Sequence, residues 1–152
     1  MADSGPPTIH ASAVLVGARA VLLRGPAGCG KSRLALALIE AAQSGRLPFA
    51  RLVADDRAHV EARHGRLLVR PAESLAGLIE VRGLGIRRLP YEPVAVVGLV
   101  VDLGQSDVAR LPSGNECTAT VASVTLPRLA VASCADATAV LLAALGTVEA
   151  GS

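Results

Sequence analysis

Apolar residues along the chain occur in short runs, and most of these runs have the length of a strand. Two pairs of runs are separated by a glycine-containing dipeptide, which predicts β-hairpins: residues 12–23 around Gly17-Ala18, and residues 58–70 around His64-Gly65. Four further runs predict single strands, at residues 50–54, 94–103, 118–124 and 129–131. The pattern therefore favours a protein built mainly from strands.

Helical periodicity is confined to a few segments. After Lys31, one face carries apolar residues at helical spacing, and Ser44-Gly45 is typical of a helix end; the face consists of Leu34, Ala37, Leu38 and Ala41. Residues 71–76 predict a helical turn and residues 135–145 a closing helix. Hairpins outnumber strand–helix–strand crossovers, which predicts an α/β fold with a mixed, hairpin-rich sheet. We expect one domain over residues 9–147, with flexible tails at 1–8 and 148–152.

Composition narrows the functional classes. Of 152 residues, 51% are hydrophobic and 18% are charged, which is typical of a folded globular chain. Aromatic residues are 1% and the net charge is +2, so neither stacking nor a basic surface favours nucleic acid as a partner. No apolar run reaches membrane-spanning length and the first residues do not resemble a signal peptide. Three cysteines without C-x-x-C spacing suggest a reducing compartment and no structural zinc. We expect a cytoplasmic protein.

A phosphate-binding loop is the clearest chemical feature. Residues 25–32 read GPAGCGKS, follow the apolar residues 21–23 and precede the helix, as the G-x-x-x-x-G-K-[ST] motif requires. Glycines let several backbone N–H groups face one anion, to which the helix N-terminus adds its positive end. A glycine turn followed by a chance Lys-Ser is the alternative. The predicted nucleotide-binding residues are Gly25, Pro26, Ala27, Gly28, Cys29, Gly30, Lys31 and Ser32.

A pair of acidic residues follows the next predicted strand, in LVADD. A carboxylate at a strand end opposite the phosphate loop can hold Mg²⁺ or a water molecule on it. Two adjacent carboxylates suggest two roles: Asp55 supports the metal, and Asp56 accepts a proton from an incoming hydroxyl. A solvated turn is the alternative. Two weaker signals are EVRGLGI at residues 80–86, which a flexible loop with a surface ion pair would also explain, and His10, since a lone histidine is more often structural.

These pieces together resemble a known family. The ordered set of His10, GPAGCGKS, LVADDR and EVRGLGI is similar to the catalytic domain of bacterial HPr kinase/phosphorylase, which phosphorylates a serine of the phosphocarrier protein HPr. The resemblance covers residues 8–146 and lacks the family's usual N-terminal domain. It implies a sheet like the nucleotide-binding core of phosphoenolpyruvate carboxykinase, ATP and Mg²⁺ as cofactors, HPr as partner, and a homohexamer.

The resemblance also implies roles for individual residues. Lys31 and Ser32 would bind phosphates and Mg²⁺, and Asp56 would be the base in the kinase direction and the acid in reverse. Asp55 and Glu80 would be the metal-associated carboxylates. His10 would lie near the transferred phosphate, and Arg110 would be the catalytic arginine.

Departures from the family pattern leave one activity open. The glycine-and-arginine loop that the family associates with dephosphorylation has no counterpart, and residues 125–129 (TLPRL) stand in its place. The kinase direction is therefore the expectation, and the phosphorylase direction, which uses inorganic phosphate and yields pyrophosphate, stays open. The rival interpretations are a small-molecule kinase, for which only Arg87-Arg88 resembles a lid, and a nucleotide-dependent switch, which would not need Asp56.

Overall fold

A computed structural model describes residues 7–105, 114–132 and 134–146. These residues form ten strands, two α-helices and two short 3-10 turns (Glu73–Leu75 and Gly114–Cys117). In chain order the main elements are β1 (Thr8–Val16), β2 (Arg19–Arg24), α1 (Lys31–Gln43), β3 (Ala50–Ala54), β4 (Arg57–Arg63), β5 (Arg66–Pro71), β6 (Leu78–Val81), β7 (Gly85–Arg88), β8 (Ala95–Leu103), β9 (Thr118–Val121), β10 (Val124–Val131) and α2 (Cys134–Gly146). The mixed α/β architecture confirms the predicted fold class at this level.

Eight of these strands form one mixed sheet, while β6 and β7 form a separate two-stranded hairpin. Strand β1 pairs antiparallel with β2, β3 and β4. Strand β8 runs parallel to β2 and β10 and antiparallel to β5. Because β4 also pairs with β5, the series β2–β1–β4–β5–β8 returns to β2. These five strands therefore curve around a common core.

The sheet has a buried core on each face. Along β2, Ala20 and Leu22 enter the core inside the curved sheet, while Val21 and Leu23 face the core that includes helix α1. This alternation follows from the two-residue period of a strand. The β2–β8 register shifts between Ala20 and Val21, opposite residues 97–99. Burial on both faces explains why residues 94–103 form a nearly continuous apolar run.

Helix α1 begins and ends at glycines with positive φ. Gly30, with φ of 103°, precedes its first residue, and Ser44 and Gly45 (φ 83°) close it through N–H bonds to the last turn. The predicted stop at Ser44-Gly45 is thus confirmed. The buried face includes Ala35, whereas Ala37, predicted to belong to it, is only partly buried.

Both hairpins predicted from the first half of the chain are confirmed, as are the strand at Ala50–Ala54 and the turn near Glu73–Leu75. The predicted strand over residues 118–124 is confirmed only for Thr118–Val121. Its predicted end is wrong, because the chain reverses at residues 122 and 123 and forms the β9–β10 hairpin. Ala122 and Ser123 adopt φ of 48° and 71°, a conformation that such residues rarely take and that the sequence does not signal. The expected flexible loop at residues 80–86 is instead the β6–β7 hairpin.

The ends of the predicted domain fall near the limits of the structure. Strand β1 begins at Thr8, where its pairing with β4 starts. Residues 1–6 and 147–152, which include most of the predicted tails, lie outside the described residues. Within the described ranges, neither helix is long and apolar enough to cross a membrane.

Candidate functional site

The segment between β2 and α1 forms a tight loop whose shape depends on glycine. Gly28 and Gly30 have φ of 81° and 103°. At Gly25, an added Cβ would lie 2.6 Å from the Cys29 sulfur and 3.0 Å from the Leu103 carbonyl oxygen. Cys29 donates its N–H to the Pro26 carbonyl at 3.1 Å, which closes the turn. A side chain at position 25 would therefore separate the loop from the end of β8.

Lys31 lies at the start of α1 and is only 6% exposed. Its Nζ donates to the Gly25 carbonyl at 2.9 Å and to the Pro26 carbonyl at 3.3 Å. An ammonium group has three N–H donors, so these two bonds leave one donor for a ligand. The loop carbonyls thus hold a cation beside the concavity that the loop surrounds.

Asp55 follows β3 and is buried, with 7% exposure. Its carboxylate accepts hydrogen bonds from the Ser32 hydroxyl (2.7 and 2.9 Å), the Ser12 hydroxyl (2.8 Å) and the backbone N–H of Glu80 (3.2 Å). All three donors are neutral, and no ion pair with Asp55 occurs among the described residues. A buried carboxylate without a cationic partner favours binding of a cation.

Asp56 has the opposite orientation to its neighbour. Its backbone has φ of 68°, and the Arg57 N–H donates to the Asp55 carbonyl at 2.8 Å, which is the i to i+2 bond of a γ-turn. The form with positive φ is rare and strained, though Asp tolerates positive φ better than most residues. The carboxylate is 58% exposed, and its Oδ1 lies 3.4 Å from Nδ1 of His10. The turn therefore directs one carboxylate inward and the next one outward.

A cavity of about 690 Å³ joins these parts. It is lined by predicted site residues together with Arg33, Leu36, Val81, Arg82, Gly83 and Gly85; the predicted ones are His10, Ala27, Gly28, Cys29, Gly30, Lys31, Ser32, Asp56 and Glu80. Gly25 and Pro26 form the base of the loop, and Asp55 lies behind Ser32. Arg110 lies outside the described residues. The lining contains phosphate-loop groups together with Asp56 and His10, so the cavity can hold a polyphosphate beside a potential base.

The residues around Asp55 can hold Mg²⁺ only with help from a substrate. Among the described residues, no group of three or more His, Cys, Asp or Glu side chains forms a metal cage. Mg²⁺ sites commonly use one or two carboxylates together with substrate phosphates and water. Asp55, hydrogen-bonded to the Ser32 hydroxyl, fits that arrangement, and both Ser32 and Glu80 line the cavity.

An arginine–aspartate cluster beside the loop was not apparent from the sequence. Asp102 on β8 is 7% exposed and accepts two hydrogen bonds from Arg24, the residue before Gly25, and a further one from Arg128 on β10. Burial alone raises the pKa of the Asp102 carboxyl, but hydrogen bonds and charges from the two arginines outweigh it, so the pKa lies below its ordinary value. Arg24 and Asp102 are 78 residues apart in the chain, and no local motif marks them.

Comparison with known proteins relates most of the chain to one family. The family model described as HPr Serine kinase C-terminal domain matches residues 4–89. An HPr kinase/phosphorylase of Streptococcus thermophilus is 41% identical over 80 residues, covering 52% of this chain and 24% of that protein. Another, of Streptococcus equi subsp. zooepidemicus, is 31% identical over 138 residues, covering 82% of this chain and 41% of that protein. These alignments thus span less than half of each relative's length.

A solved structure supports the fold over almost the whole chain. The Hpr(Ser) kinase/phosphatase from Coxiella burnetii superposes with a TM-score of 0.73 and covers 92% of this chain and 93% of that one. The sequence identity is 22%, so this likeness concerns the fold alone. The family model ends before β8, whereas the structural match extends beyond it.

Proposed function

Because the chain belongs to the HPr serine kinase C-terminal domain family, we propose that it is an ATP- and Mg²⁺-dependent protein kinase that phosphorylates a serine of HPr. The observation that carries the proposal is the cavity that joins the phosphate loop to the outward carboxylate of Asp56. The names of the curated relatives support both the kinase activity and the acceptor.

The phosphate loop would bind the triphosphate of ATP. Backbone N–H groups of the loop and the N-terminus of α1 provide fixed dipoles, and Lys31 adds a positive charge beside the phosphate oxygens. Lys31 is buried and held by two carbonyl oxygens, so little reorganisation is needed when the anion arrives. Ala27 would contribute through its backbone N–H. Pro26 has no N–H and accepts bonds from Lys31 and from the Cys29 N–H, so Pro26 and Cys29 would contribute by shaping the loop around the phosphates.

The metal would be held on the Asp55 side of the cavity. Ser32 and Asp55, with Glu80 as the second carboxylate, are the candidate ligands or supports for Mg²⁺. When bound, the ion would neutralise charge on the phosphates during transfer. The neutral donors around Asp55 orient its carboxylate without cancelling its charge.

Asp56 would act as the base. It would take the proton of the acceptor serine as the serine oxygen bonds to the γ-phosphorus, while the bond from that phosphorus to the β-phosphate oxygen breaks and ADP leaves. His10, 3.4 Å from Asp56, would lie near the transferred phosphate. Arg110 is retained as the candidate catalytic arginine on the resemblance alone.

The cavity rim favours a protein acceptor over a small metabolite. Leu84 and Ile86, in the β6–β7 hairpin, are 61% and 63% exposed, although Gly83 and Gly85 beside them line the cavity. Exposed apolar side chains at the rim of a site are typical of a surface that another protein covers. A small-molecule kinase would instead enclose its substrate.

Three further properties follow from the family and remain part of the proposal. The reverse reaction, which the different sequence at residues 125–129 leaves open, would use inorganic phosphate and release pyrophosphate, with protonated Asp56 as the acid. The assembly would be a homohexamer, and exposed Phe49, Tyr91 and Val94 are compatible with subunit contacts. The location would be the cytoplasm.

The test is an assay of the purified chain with Mg²⁺, ATP labelled on the γ-phosphate, and HPr from the same source. We expect label on an HPr serine. Release of this label as pyrophosphate when inorganic phosphate is added would show that the chain also performs the reverse reaction. Transfer without release would indicate a kinase without the reverse activity. Tight ATP binding without transfer to HPr would contradict the proposal and favour the small-molecule kinase or the switch.

A further inference from the structure

Ser12 is a buried hydroxyl within an apolar strand. It lies on β1 between Ala11 and Ala13, and its exposure is 0%. Its Oγ donates to Oδ1 of Asp55 at 2.8 Å and accepts the backbone N–H of Asp56 at 3.1 Å. One hydroxyl therefore contacts both residues of the acidic pair.

The backbone of the strained turn is attached to β1 at two points. The Asp56 N–H is bound by the Ser12 side chain, and the Asp56 carbonyl accepts the N–H of Ala11 at 3.1 Å. A conformation with φ of 68° at a residue other than glycine persists only where the surroundings fix it. Ser12 provides the only side-chain bond to the Asp56 backbone among the described residues.

We infer that Ser12 is a positioning residue that separates the roles of the two carboxylates. Its donated bond fixes the Asp55 carboxylate against Ser32, and its accepted bond holds the turn that directs Asp56 into the cavity. This inference rests on the proposed function, because it assigns Asp55 to the metal and Asp56 to proton transfer. Partners of metal-supporting carboxylates commonly change metal affinity or activity by about 10- to 100-fold when they are removed.

A buried serine that serves stability alone makes a different prediction. Ser12→Ala would then lower the unfolding temperature and leave the Mg²⁺ requirement unchanged. Val14→Ala provides the matched control, since Val14 lies two residues along β1, is also 0% exposed, and packs in the core that includes α1. Truncation of the Val14 side chain creates a cavity without removing a bond to Asp55 or Asp56.

The first readout does not need catalysis. Binding of a fluorescent ATP analogue to the full chain is titrated with Mg²⁺, and the concentration for half of the Mg²⁺-dependent signal is compared among variants. We expect Ser12→Ala to raise this concentration about 10-fold or more. Ser12→Thr keeps the hydroxyl, so its half-signal Mg²⁺ concentration should stay close to that of wild type. Val14→Ala should leave this concentration unchanged. If Ser12→Ala does not fold, Ser12→Cys replaces it, because a thiol is similar in size and a weak donor.

The second readout is kinetic. With HPr as acceptor, Ser12→Ala should lower kcat by about 10- to 100-fold and change the KM for HPr little, because the misplaced groups act on the transferred phosphate. The inference is overturned if Ser12→Ala has the wild-type Mg²⁺ requirement, or if Val14→Ala changes it equally. A wild-type chain that binds ATP with Mg²⁺ but does not phosphorylate HPr would contradict the proposed function, while the Mg²⁺ titration would still decide the role of Ser12.

Discussion

Two carboxylates of this protein are equally buried, but the partners of their negative charges differ. Asp55 and Asp102 are each 7% exposed, and both lie beside the phosphate loop. Asp55 accepts bonds only from hydroxyls and a backbone N–H. Asp102 is paired with the guanidinium groups of Arg24 and Arg128. Equal burial therefore gives one negative charge that is available to a cation and one that is already neutralised.

The comparison separates a chemical region from a structural one. In the acidic pair, Asp55 contacts Ser32 at the end of the loop, and Asp56 lines the cavity. The arginine cluster (Arg24, Asp102 and Arg128) joins the base of the loop to β8 and β10, so it connects the part of the chain that the family model matches to the part that follows it. We expect substitutions in the first region to change binding and transfer, and substitutions in the second to change stability.

The largest expected effect belongs to Asp56→Asn. Asparagine tolerates positive φ and keeps the shape of the side chain, so the turn should persist while the proposed base is lost. We expect phosphoryl transfer to HPr to fall about 10²- to 10⁴-fold, with ATP binding nearly unchanged. Glu61→Gln on the neighbouring strand is the control, since it removes a carboxylate that does not line the cavity. Near-normal transfer by Asp56→Asn would disprove the base assignment.

Asp102→Asn should have the next largest effect, and on stability. The substitution leaves two arginines beside a neutral group, and loss of one partner of a buried ion pair costs about 3 kcal/mol. We expect the free energy of unfolding in urea to fall by this order, with a smaller effect on the Mg²⁺ requirement than Asp55→Asn. An equal loss of Mg²⁺ affinity in both variants would break the distinction between the two regions.

The pH dependence of the unfolding free energy tests whether Asp102 acts through its ion pairs. Because the pKa of Asp102 is lower in the folded protein than in the unfolded chain, its contribution is fully present above the unfolded value, about 3.9, and is lost as the pH falls through the folded value. The difference in unfolding free energy between wild type and Asp102→Asn should therefore be largest near neutral pH and should shrink below about pH 4. A difference that is constant down to pH 3 would contradict the ion-pair explanation.

Asp55→Asn should reduce Mg²⁺ affinity by about 10- to 100-fold. The amide oxygen can still accept from Ser12 and Ser32, so the unfolding temperature should change less than in Asp102→Asn. Isothermal titration with Mg²⁺ and a nonhydrolysable ATP analogue measures the affinity, and thermal unfolding without ligand measures the stability. A large loss of stability with normal Mg²⁺ affinity would show that Asp55 is a structural residue like Asp102.

The phosphate loop and the Asp55-Asp56 pair could be located from the sequence, whereas the arginine cluster could not. The loop, the helix after it and the strand ending in Asp55-Asp56 have local patterns, because backbone geometry and strand termini restrict residue types over a few positions. Arg24 and Asp102 meet only after β2 and β8 pair, and that parallel pairing of distant segments has no local signal. Ser12 was missed for a related reason, since its partner Asp55 lies 43 residues away and only a lone polar residue in an apolar run marks it.

The turn chemistry shows the same limit. His64-Gly65 and Gly17-Ala18 contain a glycine, so the hairpins around them were predicted correctly. The β9–β10 turn uses Ala122 and Ser123 at positive φ, and the favourable pairing of the two strands must offset the cost of that conformation. A turn conformation that depends on the pairing of its flanking strands cannot be predicted from the few residues of the turn itself.

The smallest effect tests how much the geometry of the arginine cluster adds to its charge. Arg128 donates to Asp102 through Nε, to the Glu116 carbonyl through one terminal nitrogen and to Gln105 through the other. Arg128→Lys keeps the positive charge but cannot make these three bonds at once, so we expect a loss of about 1 kcal/mol in unfolding free energy. Arg63→Lys is the matched control, because the 3.6 Å contact of Arg63 with Glu61 is exposed and should contribute little. If both lysine variants unfold at the same urea concentration as wild type, a positive charge at position 128 is sufficient for stability. If only Arg128→Lys is weakened, the planar guanidinium is required.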